Sequence, residues 1–148
     1  MTLDSTIESH ANIKREIYCM PESLSSPSKR LVVLVVDDEK VIATTLAVIL
    51  THAGFEAHAL FDGCQAVQAL DRLQPDLLIT DVDMPGMTGI EAAIITRTQL
   101  PDCKILLFSG QAATAELLEK ARARGHEFEI LSKPLHPADL LERLRVHV

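Results

Sequence analysis

Five times between residues 31 and 148, a short apolar run is followed by a stretch with helical periodicity. This alternation constrains the fold more than any other feature of the chain. The apolar runs are Leu31–Val36, Phe55–Leu60, Asp76–Thr80, Lys104–Phe108 and Glu127–Leu131, and the helical stretches are roughly 39–53, 63–73, 88–99, 112–124 and 137–147. Strands that alternate with helices form parallel sheets through right-handed crossovers. The pattern therefore predicts an α/β domain with five strands and five helices.

The polarity of the five runs predicts their order in the sheet. The first, third and fourth runs (LVVLVV, DLLIT and KILLF) are almost continuously apolar, as strands covered on both faces are. The second and fifth runs (FEAHAL and EFEIL) alternate with polar residues, as strands at a sheet edge can. This arrangement matches the order 2-1-3-4-5, which is that of a flavodoxin-like, doubly wound parallel sheet.

Composition and charge exclude several classes of protein. With 148 residues, of which 47% are apolar, the chain is long enough for one core and is too apolar to be disordered. The net charge of −7 lies entirely in residues 31–148, because residues 1–30 carry four acidic and four basic side chains. Nucleic acid and anionic lipid both favour clustered Lys and Arg, so we expect direct binding to neither. Three widely spaced cysteines and an N-terminus without an apolar signal segment favour the cytoplasm.

The first 29 residues differ in character from the rest. The segment PESLSSPSKR at 21–30 holds two Pro and four Ser and is typical of a flexible linker. We predict that residues 1–29 form a mobile extension and that residues 30–148 form the folded domain. Because the chain ends with the fifth helix, we expect a stand-alone module whose output is protein contact.

Reactive side chains follow four of the five predicted strands. Asp37 and Asp38 follow the first strand, Asp81 the third, Ser109 the fourth and Lys133 the fifth. Because ligands of open parallel sheets bind beyond the carboxyl ends of the strands, these groups should meet at one rim. Crowded carboxylates favour a hard divalent cation such as Mg²⁺, and an aspartate that attacks phosphorus forms an acyl phosphate. We therefore predict a Mg²⁺ site and a phosphoryl acceptor at Asp81.

Each of these motifs alone has an ordinary structural explanation. The acidic run Asp37-Asp38-Glu39 is equally compatible with capping of the following helix. Ser109-Gly110 alone would be read as a turn, and Lys133-Pro134 as a loop. Their coincidence at neighbouring strand ends favours a functional site.

In these motifs the sequence resembles the receiver domain of two-component response regulators. The resemblance rests on VVDDE at 35–39, TDVDMPGMTG at 80–89, SG at 109–110 and SKP at 132–134, in the family's order and spacing. It implies that Asp81 is phosphorylated and that Mg²⁺ is held by Asp37, Asp38, Asp81 and the backbone carbonyl of Asp83, with Asp38 the more direct ligand of the first pair. It also implies that Ser109 is a switch hydroxyl, that Lys133 contacts the phosphoryl group, and that Lys133–Pro134 is a cis peptide.

The resemblance also implies partners. The phosphoryl donor would be a histidine kinase or a histidine phosphotransfer protein, and an unidentified downstream protein would bind the surface built from the fourth helix, fifth strand and fifth helix. The chain departs from the family at Ile130, where receivers usually have Tyr or Phe. Phe128 is the nearest aromatic residue and shares the face of Ile130 by strand alternation. We therefore predict that activation moves residues 111–114 more than the fifth strand.

Two other functions have partial support. Asp81-Val82-Asp83 also resembles the DxD motif of haloacid-dehalogenase-type phosphatases, in which the second Asp is the acid–base. In that family the motif follows the first strand and a cap usually covers the substrate, whereas here it follows the third strand and no insertion is long enough for a cap. A flavin-binding protein is disfavoured because aromatic residues are few and acidic strand ends repel phosphate.

Overall fold

The structure, a computed structural model, describes residues 30–110 and 114–147. The strands are β1 (Val32–Val36), β2 (Glu56–Leu60), β3 (Leu77–Asp81), β4 (Lys104–Ser109) and β5 (Glu129–Ser132). The helices are α1 (Lys40–His52), α2 (Gly63–Leu73), α3 (Gly89–Gln99), α4 (Thr114–Ala123) and α5 (Pro137–His147). The predicted extension at residues 1–29 lies outside the described residues.

The five strands form one parallel sheet in the order β2-β1-β3-β4-β5. This order confirms the predicted flavodoxin-like fold, with the two polar strands at the edges. The register pairs Asp81 with Phe108 and Ser109 with Ser132. The carboxyl ends of β3, β4 and β5 therefore lie side by side, and the residues that follow them share one rim.

The sheet is covered by helices on both faces, which explains the continuous apolar runs of its central strands. On one face, Leu34 and Val36 of β1 pack in a cluster with α2, α3 and α4. On the other face, Val33 and Val35 pack in a second cluster with α1 and α5. Each central strand thus contributes alternate side chains to two cores. Among residues 30–110 and 114–147, no helix combines the length and the apolar character that crossing a bilayer requires.

Strand β5 begins two residues later than its apolar run, a larger difference than at the other four strands. The sequence pattern starts the fifth strand at Glu127, whereas β5 starts at Glu129. The guanidinium group of Arg97, near the end of α3, donates a hydrogen bond to the backbone oxygen of Glu127 (3.0 Å) and lies 4.3 Å from the centre of the Phe128 ring. A side chain of α3 therefore holds this segment before strand pairing begins.

Candidate functional site

Three carboxylates meet at the rim between β1 and β3. Asp37 follows β1 directly and is fully buried, while Asp81 is the last residue of β3 and only 4% exposed. Asp38, the next residue along, is exposed. One carboxylate oxygen from each of the three lies within 4.8 Å of the other two. The structure therefore brings together the acidic residues that the sequence singled out.

Lys133 places a positive charge beside the two buried carboxylates. Its Nζ lies 3.3 Å from Oδ1 of Asp81 and 3.6 Å from Oδ2 of Asp37. The same ammonium group lies 5.2 Å from the centre of the Phe108 ring, and the backbone N–H of Lys133 donates to the carbonyl of Ser109 (3.0 Å). The Lys133–Pro134 peptide is cis, as the resemblance implied.

The site carries more negative charge than Lys133 neutralises. Burial raises the pKa of Asp37 from 3.8 to about 6, against the lowering effects of the Glu39 amide and of Lys133. Burial likewise raises the pKa of Asp81, although Lys133 and the backbone N–H of Asp83 oppose it. Burial lowers the pKa of Lys133, but the charges of Asp81 and Asp37 outweigh this effect and raise it. The protein alone therefore holds these carboxylates at an energetic cost.

The donor set fits a divalent cation. Oδ1 of Asp37 accepts a hydrogen bond from the Glu39 amide (2.9 Å), but Oδ2 is buried and accepts none. A buried carboxylate oxygen without a hydrogen bond is costly, and the Lys133 ammonium group 3.6 Å away is shared with Asp81, so it does not balance both negative charges. Asp38 and Asp81 offer further oxygen ligands close by, and oxygen is the ligand that Mg²⁺ prefers.

A cavity of about 260 Å³ opens over the carboxylates. Its lining comprises Asp38, Glu39, Asp81, Asp83, Gly110 and Lys133. A Cβ atom at Gly110 would lie 3.2 Å from Cβ of Lys133, so the stem of the lysine packs closely against this glycine. The cavity is large enough for a small anionic group between the acidic residues and the ammonium group of Lys133.

The start of α3 is pressed against the backbone of Asp81. A Cβ atom at Gly89 would lie 1.9 Å from the carbonyl oxygen of Asp81, a distance that excludes any side chain. The helix begins with a reciprocal capping box, in which the Thr88 hydroxyl accepts from the Glu91 amide and the Glu91 carboxylate accepts from the Thr88 amide. Helix α3 therefore fixes the strand end that carries Asp81.

Ser109 has a neighbour that the sequence analysis did not identify. Its hydroxyl forms a short hydrogen bond with the hydroxyl of Thr114, a buried residue at the start of α4. The two hydroxyl groups are five residues apart, and Ser and Thr are common near helix starts. Nothing in that spacing indicates the contact, because it depends on how the end of β4 and the start of α4 lie relative to each other.

The sequence is similar to a known family over most of its length. The sequence model described as "Response regulator receiver domain" matches residues 33–145. The chemotaxis protein CheY of Thermotoga maritima is 34% identical over 113 residues, which are 76% of this chain and 92% of that protein. The DNA-binding response regulator MtrA of Mycobacterium tuberculosis is 29% identical over 116 residues, or 78% of this chain. The chain spans 50% of the length of MtrA.

Solved structures show the same likeness. The chemotaxis protein CheY4 of Vibrio cholerae superposes with a TM-score of 0.70 at 30% identity, covering 81% of this chain and 100% of that one. The signal receiver domain of an HD domain-containing protein from Pseudomonas fluorescens superposes with a TM-score of 0.72, also at 30% identity. That match covers 80% of this chain and 94% of the other. Fold and sequence therefore point to the same group of proteins.

Proposed function

The chain belongs to the response regulator receiver family, and on that premise we propose that it accepts a phosphoryl group on Asp81 in a Mg²⁺-dependent reaction. Members of this family are signalling domains of two-component systems rather than conventional enzymes. The observation that carries the proposal is the position of Asp81. Its carboxylate ends a central strand, lines the cavity and lies 3.3 Å from the Lys133 ammonium group.

The acidic residues of the rim would hold the metal ion. We assign Asp37, Asp38, Asp81 and the backbone carbonyl of Asp83 as ligands, because the three carboxylates converge and Asp83 lines the same cavity. When bound, Mg²⁺ neutralises charge on the phosphoryl oxygens and on the carboxylates. Receiver domains generally bind Mg²⁺ at such an acidic pocket, which agrees with this assignment.

The transfer needs a nucleophile and charge neutralisation more than acid–base catalysis. A carboxylate oxygen of Asp81 forms a bond to phosphorus while the bond from phosphorus to the donor's imidazole nitrogen breaks, and that nitrogen keeps the electron pair. Lys133 stabilises the negative charge of the phosphoryl oxygens, and the Ser109 hydroxyl donates a hydrogen bond to one of them. The donor is a phosphohistidine on a histidine kinase or a histidine phosphotransfer protein.

The phosphorylated domain would act through protein contact. We propose the surface formed by α4, β5 and α5 as the binding site of the downstream protein, because Ser109 and Lys133 connect the rim to β4, α4 and β5. The Asp81/Asp83 phosphatase alternative gains no support from the fold. The DxD motif follows the third strand of the chain, and the matched family is a signalling domain.

A labelling experiment tests the proposal. With Mg²⁺ and a small phosphoryl donor such as acetyl phosphate, mass spectrometry should detect one added phosphoryl group per chain. Asp81→Asn should abolish it, because the amide is a poor nucleophile, while the matched variant Asp83→Asn should keep it. Labelling that survives intact in Asp81→Asn would contradict the assignment, and rapid multiple turnover of phosphate esters that depends on Asp83 would favour the phosphatase.

A further inference from the structure

The hydrogen bond between Ser109 and Thr114 joins the rim to helix α4. Ser109 ends β4 beside the strand end that carries Asp81, and Thr114 is the first residue of α4. Thr114 is 5% exposed, so its hydroxyl has little access to water. If Ser109 moved away, the buried Thr114 hydroxyl would lose its hydrogen-bond partner, which costs free energy. The contact is therefore expected to be kept when Ser109 moves.

The Ser109 hydroxyl has enough donor and acceptor capacity to keep its hydrogen bond with Thr114 after phosphorylation. A serine hydroxyl has one donor hydrogen and two acceptor lone pairs. Phosphoryl oxygens only accept, so Ser109 must donate to the phosphoryl group. Thr114 must then donate to Ser109. The result is a directional chain from the Thr114 hydroxyl to the Ser109 hydroxyl to the phosphoryl oxygen, in which each hydroxyl is satisfied.

Receivers usually respond to phosphorylation by moving the ring of a Tyr or Phe at the position of Ile130. This movement is not available in this chain. Ile130 has no ring to move between buried and exposed positions, and it packs against the core cluster beside α4. Phe128 shares that face, but Arg97 stacks on its ring at 4.3 Å and His126 lies parallel to it at 6.2 Å. Because Arg97 also holds the Glu127 carbonyl, Phe128 is anchored to α3.

We propose that Thr114 is a positioning residue that ties Ser109 to helix α4, so that movement of Ser109 toward the phosphoryl group draws the start of α4 with it. The inference rests on the proposed function, because it requires a phosphoryl group at Asp81. The proposed link is at Thr114, which the structure describes. Residues 111–113, the rest of the segment predicted to move, lie outside the described residues.

Hydrogen exchange of the full-length protein tests the link, with Mg²⁺ and beryllofluoride as the phosphoryl mimic. Fluorine NMR of the bound beryllofluoride shows separately whether the adduct forms. In the wild type and in Thr114→Ser, the adduct should change exchange at amides 115–123. In Thr114→Val, which keeps the shape and removes the hydroxyl, the adduct should still form, but the change should fall at least about twofold, the lower end of coupling between contacting residues.

Thr96→Val is the matched control. Thr96 is buried on α3, and its hydroxyl donates within that helix to the carbonyl of Ala92 (2.8 Å), so the substitution removes a similar hydroxyl away from the rim. A normal α4 response in Thr114→Val, or an equal loss in Thr96→Val, would overturn the link while leaving the phosphoacceptor proposal intact. Absence of any adduct in the wild type would overturn both.

A double-mutant cycle keeps the test informative if Thr114→Val folds poorly. The response measured is the change in hydrogen exchange at amides 115–123 on beryllofluoride binding. Thr114→Ala and Ser109→Ala should each reduce it, and the double variant should lose no more than either single variant. Independent, additive losses would contradict a shared hydrogen bond. Full response in the single Thr114→Ala variant would contradict it as well.

Discussion

Helices α3 and α4 both begin near the rim and pack on the same face of the sheet, but they are attached to the rim in different ways. Helix α3 buries Gly89, Ile90, Ala92, Ala93 and Thr96, and its capping box and first glycine lock its start against Asp81. Helix α4 buries only Thr114 and Ala121 among its described residues, and Thr114 meets the rim through one hydroxyl contact. Elements with few buried contacts open and shift more easily. The Asp81 strand end is therefore held closely by α3, whereas α4 has fewer buried contacts that would oppose a shift.

The largest expected effect is on stability, in a pair of glycine substitutions at Gly89 and Gly110. Glycine to alanine inside a helix normally stabilises by about 1 kcal/mol. Gly89→Ala should instead lower the free energy of unfolding by at least about 3 kcal/mol, because its methyl group would overlap the Asp81 carbonyl. Gly110→Ala meets only the stem of Lys133, at 3.2 Å, and should cost about 1 kcal/mol or less. Urea denaturation measures the free energy of unfolding of both variants. Equal losses would show that Gly89 is no more tightly packed than Gly110.

The buried charge of Asp37 should make the stability of the domain depend on pH. The pKa of Asp37 is raised to about 6 by burial, so in Mg²⁺-free protein its charged form lowers stability as pH rises from about 4 through 6. Asp37→Asn removes this cost and should stabilise the metal-free protein by about 1 to 3 kcal/mol at pH 8, with no gain near pH 4.

Asp83→Asn provides the control, because Asp83 is exposed at the same cavity. Its unfolding free energy should follow that of the wild type across the same pH range. A destabilised Asp37→Asn protein at pH 8 would mean that the Asp37 carboxylate stabilises the metal-free fold.

The smallest effect concerns Phe128, the residue that precedes β5. Phe128→Leu removes the contact with the Arg97 guanidinium group and should lower the free energy of unfolding by about 0.5 to 1 kcal/mol. Because the ring is anchored to α3, the exchange response of α4 to beryllofluoride should stay unchanged. In the wild type, the response should be larger at α4 than at 128–131. A response larger at 128–131 than at α4, and absent in Phe128→Leu, would show that Phe128 is the switch.

Much of the fold was predictable because its signals are local. Continuous and alternating apolar runs distinguished central from edge strands, and the observed order confirmed that distinction. The positions of Asp37, Asp38 and Asp81 at strand ends also predicted that they meet at one rim, as they do in the structure. Their roles as phosphoryl acceptor and metal ligands stay predictions until the labelling experiment is done.

Contacts between distant side chains were not predictable. Arg97 and Glu127 are thirty residues apart, and their hydrogen bond lies at the start of the apolar run, two residues before β5 begins. The exposed Asp38 and the fully buried Asp37 are adjacent in sequence, so the difference in their burial needed the structure. The contact of Thr114 with Ser109 was not predicted for the same reason, since it depends on how α4 lies against the end of β4.

The contact between Gly89 and Asp81 also has a consequence for protein engineering. Asp81 cannot be transplanted to another scaffold as a single side chain, because its carbonyl is covered by a helix start that tolerates only hydrogen at that position. The smallest transferable unit is residues 80–91, which include the strand end, the loop and the capped first turn of the helix. A donor segment cut before Gly89 would deliver the Asp81 carboxylate without the part that holds it in place.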